Sequence, residues 1–312
     1  MWRPRRATKR ADDMRVRVLG SAAGGAFPQW NCGCNNCVLA RAKDPRVVPR
    51  TQDGLAFESE SRWLLVNASP DVLRQIEATS ELHPRALRDT PIAAIVLTNG
   101  DLDHVLGLFS LRESQPLVVY ATDRVMSGLM ERNAIASTLR RFPGQLTHRR
   151  LVIGEPCAVP ELGDLTITAF ASPGKLPVHL MRAFDPHDED NVGLRISGGG
   201  TTATCATAVR DVRAILPHLE PSDVLFLDGT FWSSDELGTQ KIGTARAEDM
   251  AHHPIGGEGG SITALASASR LGRKILTHIN NTNPILREDS PERAWALRMG
   301  WEIAHDGMEV RL

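Results

Sequence analysis

The sequence predicts an α/β sandwich in which two sheets pack face to face with helices on the outside. One observation behind this is that apolar runs of strand length stop abruptly at a polar residue or a glycine: Ile95-Val96-Leu97 before Asn99-Gly100-Asp101, Val224-Leu225-Phe226-Leu227 before Asp228-Gly229, and Lys274 to Thr277 before His278. The other is that segments with helix-opening chemistry lie between these runs, as at Ser69-Pro70 and Ser290-Pro291-Glu292. The composition suits a soluble globular chain of 312 residues, with 42% hydrophobic and 23% charged residues. A net charge of −1 argues against nucleic acid or an anionic membrane as the main partner, and no apolar run approaches the roughly 20 residues that cross a bilayer.

Taken in order, residues 1–13, MWRPRRATKRADD, form a basic stretch without an apolar signal core. They read as a disordered tail or as the product of a start site placed too far upstream, ahead of one domain spanning 14–312. A cytoplasmic, thiol-keeping compartment fits the five cysteines better than a disulfide framework. Arg15 to Leu19 is a strand that runs into the glycines of 20–25, a loop for close backbone packing or a seat for a polar ligand group.

Cys32, Cys34 and Cys37 follow, separated by Gly33, Asn35 and Asn36, which let three thiols turn onto one centre. Soft thiolates select zinc, and closed zinc–sulfur sites are usually structural; one disulfide plus a spare thiol is the alternative. The fourth ligand is not visible locally. Cys157 and Cys205 stand alone in apolar surroundings and read as core residues.

Trp63 to Val66 is a strand, with a helix from Ser69-Pro70 to about Ala78. Ile95 to Leu97 then delivers Asn99, Asp101, Asp103 and His104 within seven residues, with a short helix from near Val105. A rigid strand supporting such a loop can fix a carboxylate and an imidazole within metal-bond distance of one point. Leu117 to Ala121 is a strand, and Thr122 caps a helix to about Asn133. Further strands are expected at 165–170, 192–196 and 202–206.

The stretch between Phe170 and Asp190 reads as a lid or substrate loop. Its His179 and His187 are of the kind most often solvated, and Asp185 to Asp190 suits a surface loop better than a calcium site. Asp228 ends one strand as a metal-ligand candidate, and His278 ends another. His252 and His253 sit at a helix end, where side chains about 100° apart allow only one, taken to be His252, to reach a shared site. Met308 to Leu312 closes the chain as a strand.

Thr98-Asn99-Gly100-Asp101-Leu102-Asp103-His104 resembles the metallo-β-lactamase superfamily signature Thr-His-x-His-x-Asp-His, with Asn99 and Asp101 where its first two histidines stand. Longer strings narrow the resemblance: VLGSAAGGAFPQWNCGCNNC at 18–37, NASPD at 67–71, ALRDTPIAAIVLTNGDLDH at 86–104, FDPHDEDNVGL at 184–194, DGTFW at 228–232, HINNTNPIL from 278 and EDSPERA to 294. Together they are similar to the coenzyme PQQ (pyrroloquinoline quinone) synthesis protein B family over about 14–312. Departures fall at 201–209, TTATCATAV, and at Ala251, His253 and Pro254.

The resemblance implies a metallo-β-lactamase-like four-layer αββα sandwich, structural Zn(II) on Cys32, Cys34 and Cys37, and a second metal on Asp103, His104, Asp228 and His278. Related phosphodiesterases take their fourth zinc ligand at the place of Asn281, whose role here stays open. Two imidazoles and a carboxylate with open positions suit non-haem Fe(II). The implied activity is oxygen-dependent hydroxylation of the tyrosine ring of a Glu-Tyr precursor in PQQ biosynthesis, with catalytic roles for Asp103, His104 and His252. A metallohydrolase acting on a phosphodiester, lactone or peptide bond, and a carrier moving PQQ or its precursor towards the periplasm, are the rival readings. Expected partners are the Glu-Tyr substrate, other proteins of the pathway and a second copy of the chain.

Overall fold

The strand-length apolar runs become the middle of two stacked sheets. A computed structural model describes residues 14–131, 133–181 and 185–312, so the expectations for the basic stretch 1–13 lie outside the described residues. The strands are β1 Arg15–Gly20, β2 Gly54–Ser59, β3 Arg62–Val66, β4 Ile92–Val96, β5 Leu117–Ala121, β6 Leu146–Arg150, β7 Pro156–Ala158, β8 Thr166–Ala171, β9 Val192–Gly198, β10 Thr201–Ala206, β11 Ser222–Asp228, β12 Leu271–Thr277, β13 Trp301–Ile303 and β14 Glu309–Arg311. They form two seven-stranded sheets, ordered β14-β1-β2-β3-β4-β5-β6 and β13-β12-β11-β10-β9-β8-β7.

Alternation along single strands shows why the runs are continuously apolar. In β3, Leu64 and Val66 enter the core between the sheets while Trp63 and Leu65 face the outer helices. In β11, Val224 and Phe226 point between the sheets, whereas Leu225 and Leu227 point out. A strand buried on both faces loses the polar–apolar alternation of a half-exposed one. Val72, Val105, Leu108 and Val125 cover the outside of the first sheet; Val212, Ile215, Leu219, Ile262 and Ala296 cover the second. The expected four-layer αββα sandwich is the architecture found.

Strands β3 to β6 run parallel to one another, as do β10 to β13. Parallel neighbours end on the same side, so the loops after β4, β11 and β12 gather at one rim of the sandwich. Bridges between Ala22 and Ile279 and between Asn99 and Asn191 tie the sheets together there.

Several local expectations shift. The helix after β3 is Val72–Glu77, preceded by Asp71, and the Ser69 hydroxyl donates to Gln75 Oε1 at 3.3 Å instead of capping. Thr122 and Ser290 do cap their helices, Asp123–Met130 and Pro291–Arg298, by accepting from Val125 N and Arg293 N. Cys205 is buried in the core, but Cys157 is only partly buried, because its short strand lies at a sheet edge. Among the described residues no helix is long and apolar enough to cross a membrane.

The turn carrying His104 is seated on the loop after β3, with Ala68 N donating to His104 O and Gly107 N to Ala68 O, both at 2.8 Å. A Cβ at Gly107 would come within 2.2 Å of Ser69 O and 2.7 Å of Ala68 O, both rigid backbone atoms. Gly107→Ala therefore tests which effect wins. Helix propensity favours alanine by about 1 kcal/mol, but overpacking costs about 1–3 kcal/mol. Urea unfolding should show net destabilisation, and an equal or more stable variant would contradict this packing.

Candidate metal centres

Two groups of metal-competent side chains share the rim. Asp103 and His104 lie in the short helix Leu102–Val105, and His278 follows β12. Their donor atoms lie within 4.8 Å of one another. Asp103 Oδ2 stands 3.3 Å from His278 Nε2 and 3.6 Å from His104 Nε2. Both imidazoles thus turn Nε2 towards one carboxylate.

A threonine sets each ring. Thr98 Oγ1 donates to Asn67 Oδ1 at 3.1 Å, leaving a lone pair for His104 Nδ1–H, also at 3.1 Å. Thr230 Oγ1 donates to Asp228 Oδ1 at 2.6 Å and accepts from His278 Nδ1 at 2.9 Å. With Nδ1 occupied, Nε2 is the atom offered to the centre, the arrangement that outer partners impose on metal-binding histidines. His104 Nε2 is buried and has no hydrogen-bond partner, which leaves a lone pair for a cation.

Asp228 belongs to a second group with His252 and the shared His278. Its Oδ2 accepts from His252 Nδ1 at 2.7 Å and from Val209 N at 2.9 Å, and its Oδ1 accepts from Thr230 N and Thr230 Oγ1 at 3.0 and 2.6 Å. The carboxylate is thereby fully provided with donors inside the protein. His252 Nδ1 is committed to Asp228, leaving Nε2 free of protein partners among the described residues. His253 turns away, with Nε2 3.0 Å from Gly259 O. A short 3₁₀ turn, Glu248–Met250, replaces the expected helix end.

The electrostatics follow from buried and half-buried anions crowding around His278. Burial alone would lower its pKa, but the hydrogen bond to Asp103 and the nearby Asp53, Asp103 and Asp228 push it up to about 9. Burial likewise opposes charge on Asp103 and Asp228, yet the adjacent histidines hold both carboxyls below the usual range. Asp53 goes the other way: burial raises its carboxyl despite His278 and His104 nearby.

At the places of the superfamily's first two histidines the donors are poor. Asn99 Nδ2 donates to Asn191 Oδ1 and Asn99 Oδ1 accepts from Asp101 N, each at 2.9 Å, so Asn99 fastens the two sheets together. Asp101 starts the short helix without a side-chain cap. His179 is exposed, and His187 Nδ1 caps the acidic turn by accepting from Glu189 N at 3.1 Å. Neither belongs to a metal-competent group among the described residues.

The sulfur cluster is the other centre. Cys32, Cys34 and Cys37 gather at the start of the helix Asn35–Arg41, and Asn281 Nδ2 reaches their sulfurs at 3.1, 3.5 and 3.5 Å. Asn36 Nδ2 donates to Asn281 O and Asn283 O at 3.0 Å, and Arg41 Nη1 donates to Cys32 O at 2.6 Å. Burial and the neighbouring thiols push Cys37 up to about 12; at Cys32 burial acts in the same sense, but hydrogen bonds led by Cys34 N–H bring it below normal. Three adjacent sulfurs cannot all ionise without a cation between them, and three soft donors suit zinc.

Sequence reasoning did not single out Thr98, Thr230 or Asp53. Thr277 Oγ1 donates to Asp53 Oδ1 at 2.8 Å, beneath the histidines, but Gln52-Asp53-Gly54 looks like an ordinary turn. The glycine loop does pack closely: a Cβ at Gly24 would sit 3.0 Å from Asp103 Oδ2.

Two sheets with a donor-bearing rim define a member of the metallo-β-lactamase superfamily, and the Beta-lactamase superfamily domain matches residues 62–279. The chain is 43% identical over 308 residues to coenzyme PQQ synthesis protein B of Methylorubrum populi, covering 96% of this chain and 100% of that one. It is also 43% identical over 303 residues to the Cupriavidus necator protein of the same name, covering 95% and 99%. The chain belongs to the coenzyme PQQ synthesis protein B family. The crystal structure of Zn(2+)-bound PqqB from Methylobacterium extorquens aligns with a TM-score of 0.90 at 40% identity, covering 96% of this chain and 100% of that one. A diphosphatase of the PhnP family, at 18% identity and TM-score 0.65 over 96% of this chain and 97% of that one, shares the fold.

Thr230→Val removes the hydroxyl that serves both Asp228 and His278 while keeping the side chain's shape. The buried acceptor and donor left behind should cost about 1–3 kcal/mol in urea unfolding at fixed zinc, with Thr230→Ser largely restoring stability. A valine variant as stable as the parent would show that this hydroxyl does not join the two groups.

Proposed function

We propose that the chain acts in PQQ biosynthesis as a non-haem iron oxygenase that hydroxylates the tyrosine ring of a Glu-Tyr precursor. The observation carrying this reading is the Asp103–His104–His278 group, two imidazole Nε2 atoms and one carboxylate within 4.8 Å of one another. Such a set, with further positions open, suits ferrous iron. The superfamily's other metal position is starved of nitrogen donors, since Asn99 and Asp101 stand where histidines would and Asn99 is tied to Asn191. Asp228 completes the edge site only by exchanging one of its internal hydrogen bonds for the ion. Iron, when bound, supplies activation of dioxygen.

The chain's own residues aim, shield and move protons. Thr98 and Thr230 hold the two rings, and the loop at Gly24 closes over Asp103. His252 takes or returns a proton at Nε2 while Asp228 stabilises the charge that develops on its ring. One oxygen atom enters the tyrosine ring and the other leaves as water, so an external reductant supplies two electrons. Structural zinc belongs on Cys32, Cys34 and Cys37, with the Asn281 carboxamide over the open face. Turned by 180°, that carboxamide offers its oxygen as the fourth ligand.

A two-metal hydrolase is the second reading, and the Asp228–His252–His278 group favours it by offering a second set of donors around the shared His278. It asks Asp228 and His252 to give up their mutual bond, and anaerobic turnover would support it.

Anaerobic loading with ferrous iron, addition of Glu-Tyr, then oxygen with a reductant, should add oxygen atoms detectable by mass spectrometry. Dipeptide unchanged with every metal tried would overturn the oxygenase reading. His104→Ala should lose the edge metal and retain the sulfur-bound one, and retention of both would refute the assignment of His104.

A further inference from the structure

Beside the metal-competent rim lies a separate cavity of about 190 Å³, walled by the Ser172–Leu176 strap, the loop around His187 and Arg210. The two cations facing it have no evident task. Neither the Lys175 nor the Arg210 side chain makes an ion pair or hydrogen bond among the described residues. The carboxylates in the same wall do not match them. Asp190 is engaged by Arg124 Nε at 3.1 Å and by His187 N at 2.6 Å, which leaves Asp188 alone to offset two positive charges. His187 is fixed by its cap to Glu189 N.

We propose that Lys175 and Arg210 form an anion subsite that takes a carboxylate of the substrate and selects which molecules reach the metal group. This rests on the reading of the substrate as a small acidic peptide. The cavity and the rim share their walls. Asn191 lines the cavity, accepts from Asn99 at 2.9 Å through Oδ1 and donates to Ala208 O at 2.8 Å through Nδ2. Val209, next to Arg210, holds Asp228 Oδ2 at 2.9 Å.

The order β11-β10-β9-β8 puts Arg210, after β10, one strand spacing from Asp228 and the Ser172–Leu176 strap, after β8, three spacings away, a range of about 5–15 Å. A dipeptide backbone spans about 7 Å and its two side chains lengthen that reach, so an aromatic ring can sit at the rim while a carboxylate meets the cations. Arginine and lysine together suit such a group, the planar fork pairing with both oxygens and the ammonium adding a point charge. The strap read from sequence as a substrate loop thereby gains a specific task.

Lys175 and Arg210 are partly or fully exposed, so both tolerate substitution. Binding of Glu-Tyr to the zinc-loaded, iron-free protein is measured by calorimetry for the parent, for K175M/R210M and for the charge control R213M. The double variant should bind about 10–100-fold more weakly, the expected loss of charge-assisted hydrogen bonds, with R213M unchanged. In the parent, either Gln-Tyr or the C-terminal amide of Glu-Tyr should show the same loss, naming the carboxylate that is held. Affinity of the double variant within twofold of the parent, failure of the parent to bind Glu-Tyr, or equal binding of both analogues would overturn the subsite. Lost binding in the double variant alongside a parent that never oxygenates the dipeptide would keep the subsite and reject the chemistry. Normal turnover with an unchanged KM in the double variant would do the reverse.

Discussion

The structure depends on one electrostatic constraint: the buried Asp53 and Asp228 and the half-buried Asp103 crowd around His278. Carboxylates removed from water are costly unless paired or hydrogen-bonded. Here the offsets are arranged in layers, with Thr277 on Asp53, four donors on Asp228, and two histidine edges on Asp103. Only Asp103 has imidazole nitrogens as its main company, and one of these, His104 Nε2, is unpartnered. A proton on His278 relieves part of the negative charge; a dication between Asp103, His104 and His278 would relieve more and would use the orphaned lone pair.

The sandwich makes that crowding sustainable. Parallel strands end at the same rim, so donors from distant parts of the chain arrive on rigid supports instead of on one long loop. His278 adopts a φ of 54°, a conformation few non-glycine residues take, and the fold retains it where the strand must turn its last side chain into the site. The same turn serves both centres. Three residues after His278 comes Asn281, which spans the three sulfurs, while Asn36 grips the backbone on either side of Thr282. A cation at the sulfur cluster would therefore stiffen the segment that aims His278.

How much of this could be read from residues alone depended on whether a signal was local. Strands such as β5 and the end of β11 were visible because they are apolar on both faces and stop at a helix-capping threonine or a charge. β6, LTHRR, and β7, PCA, were not, since short edge strands need no apolar alternation. The helix Val212–Leu219 was missed as well, its interior Pro217 obscuring a cap at Asp211. At the site, Asp103, His104, Asp228 and His278 stood out as donors at strand ends, and the structure gathers them into two groups sharing His278. The threonines that set the rings were invisible, because spacing alone does not show that the turn folds His104 back onto Thr98, and Thr230 meets His278 only once β11 and β12 pair.

The central claim is that the rim binds one cation between Asp103, His104 and His278, apart from the sulfur cluster. Anomalous diffraction from anaerobically iron-loaded crystals, recorded at both the iron and zinc edges, tests it most directly. One iron peak within bonding distance of His104 Nε2, His278 Nε2 and an Asp103 oxygen, and one zinc peak among Cys32, Cys34 and Cys37, is the expected result. An iron peak seated only on Asp228 and His252, or no peak at the rim at all, would contradict it.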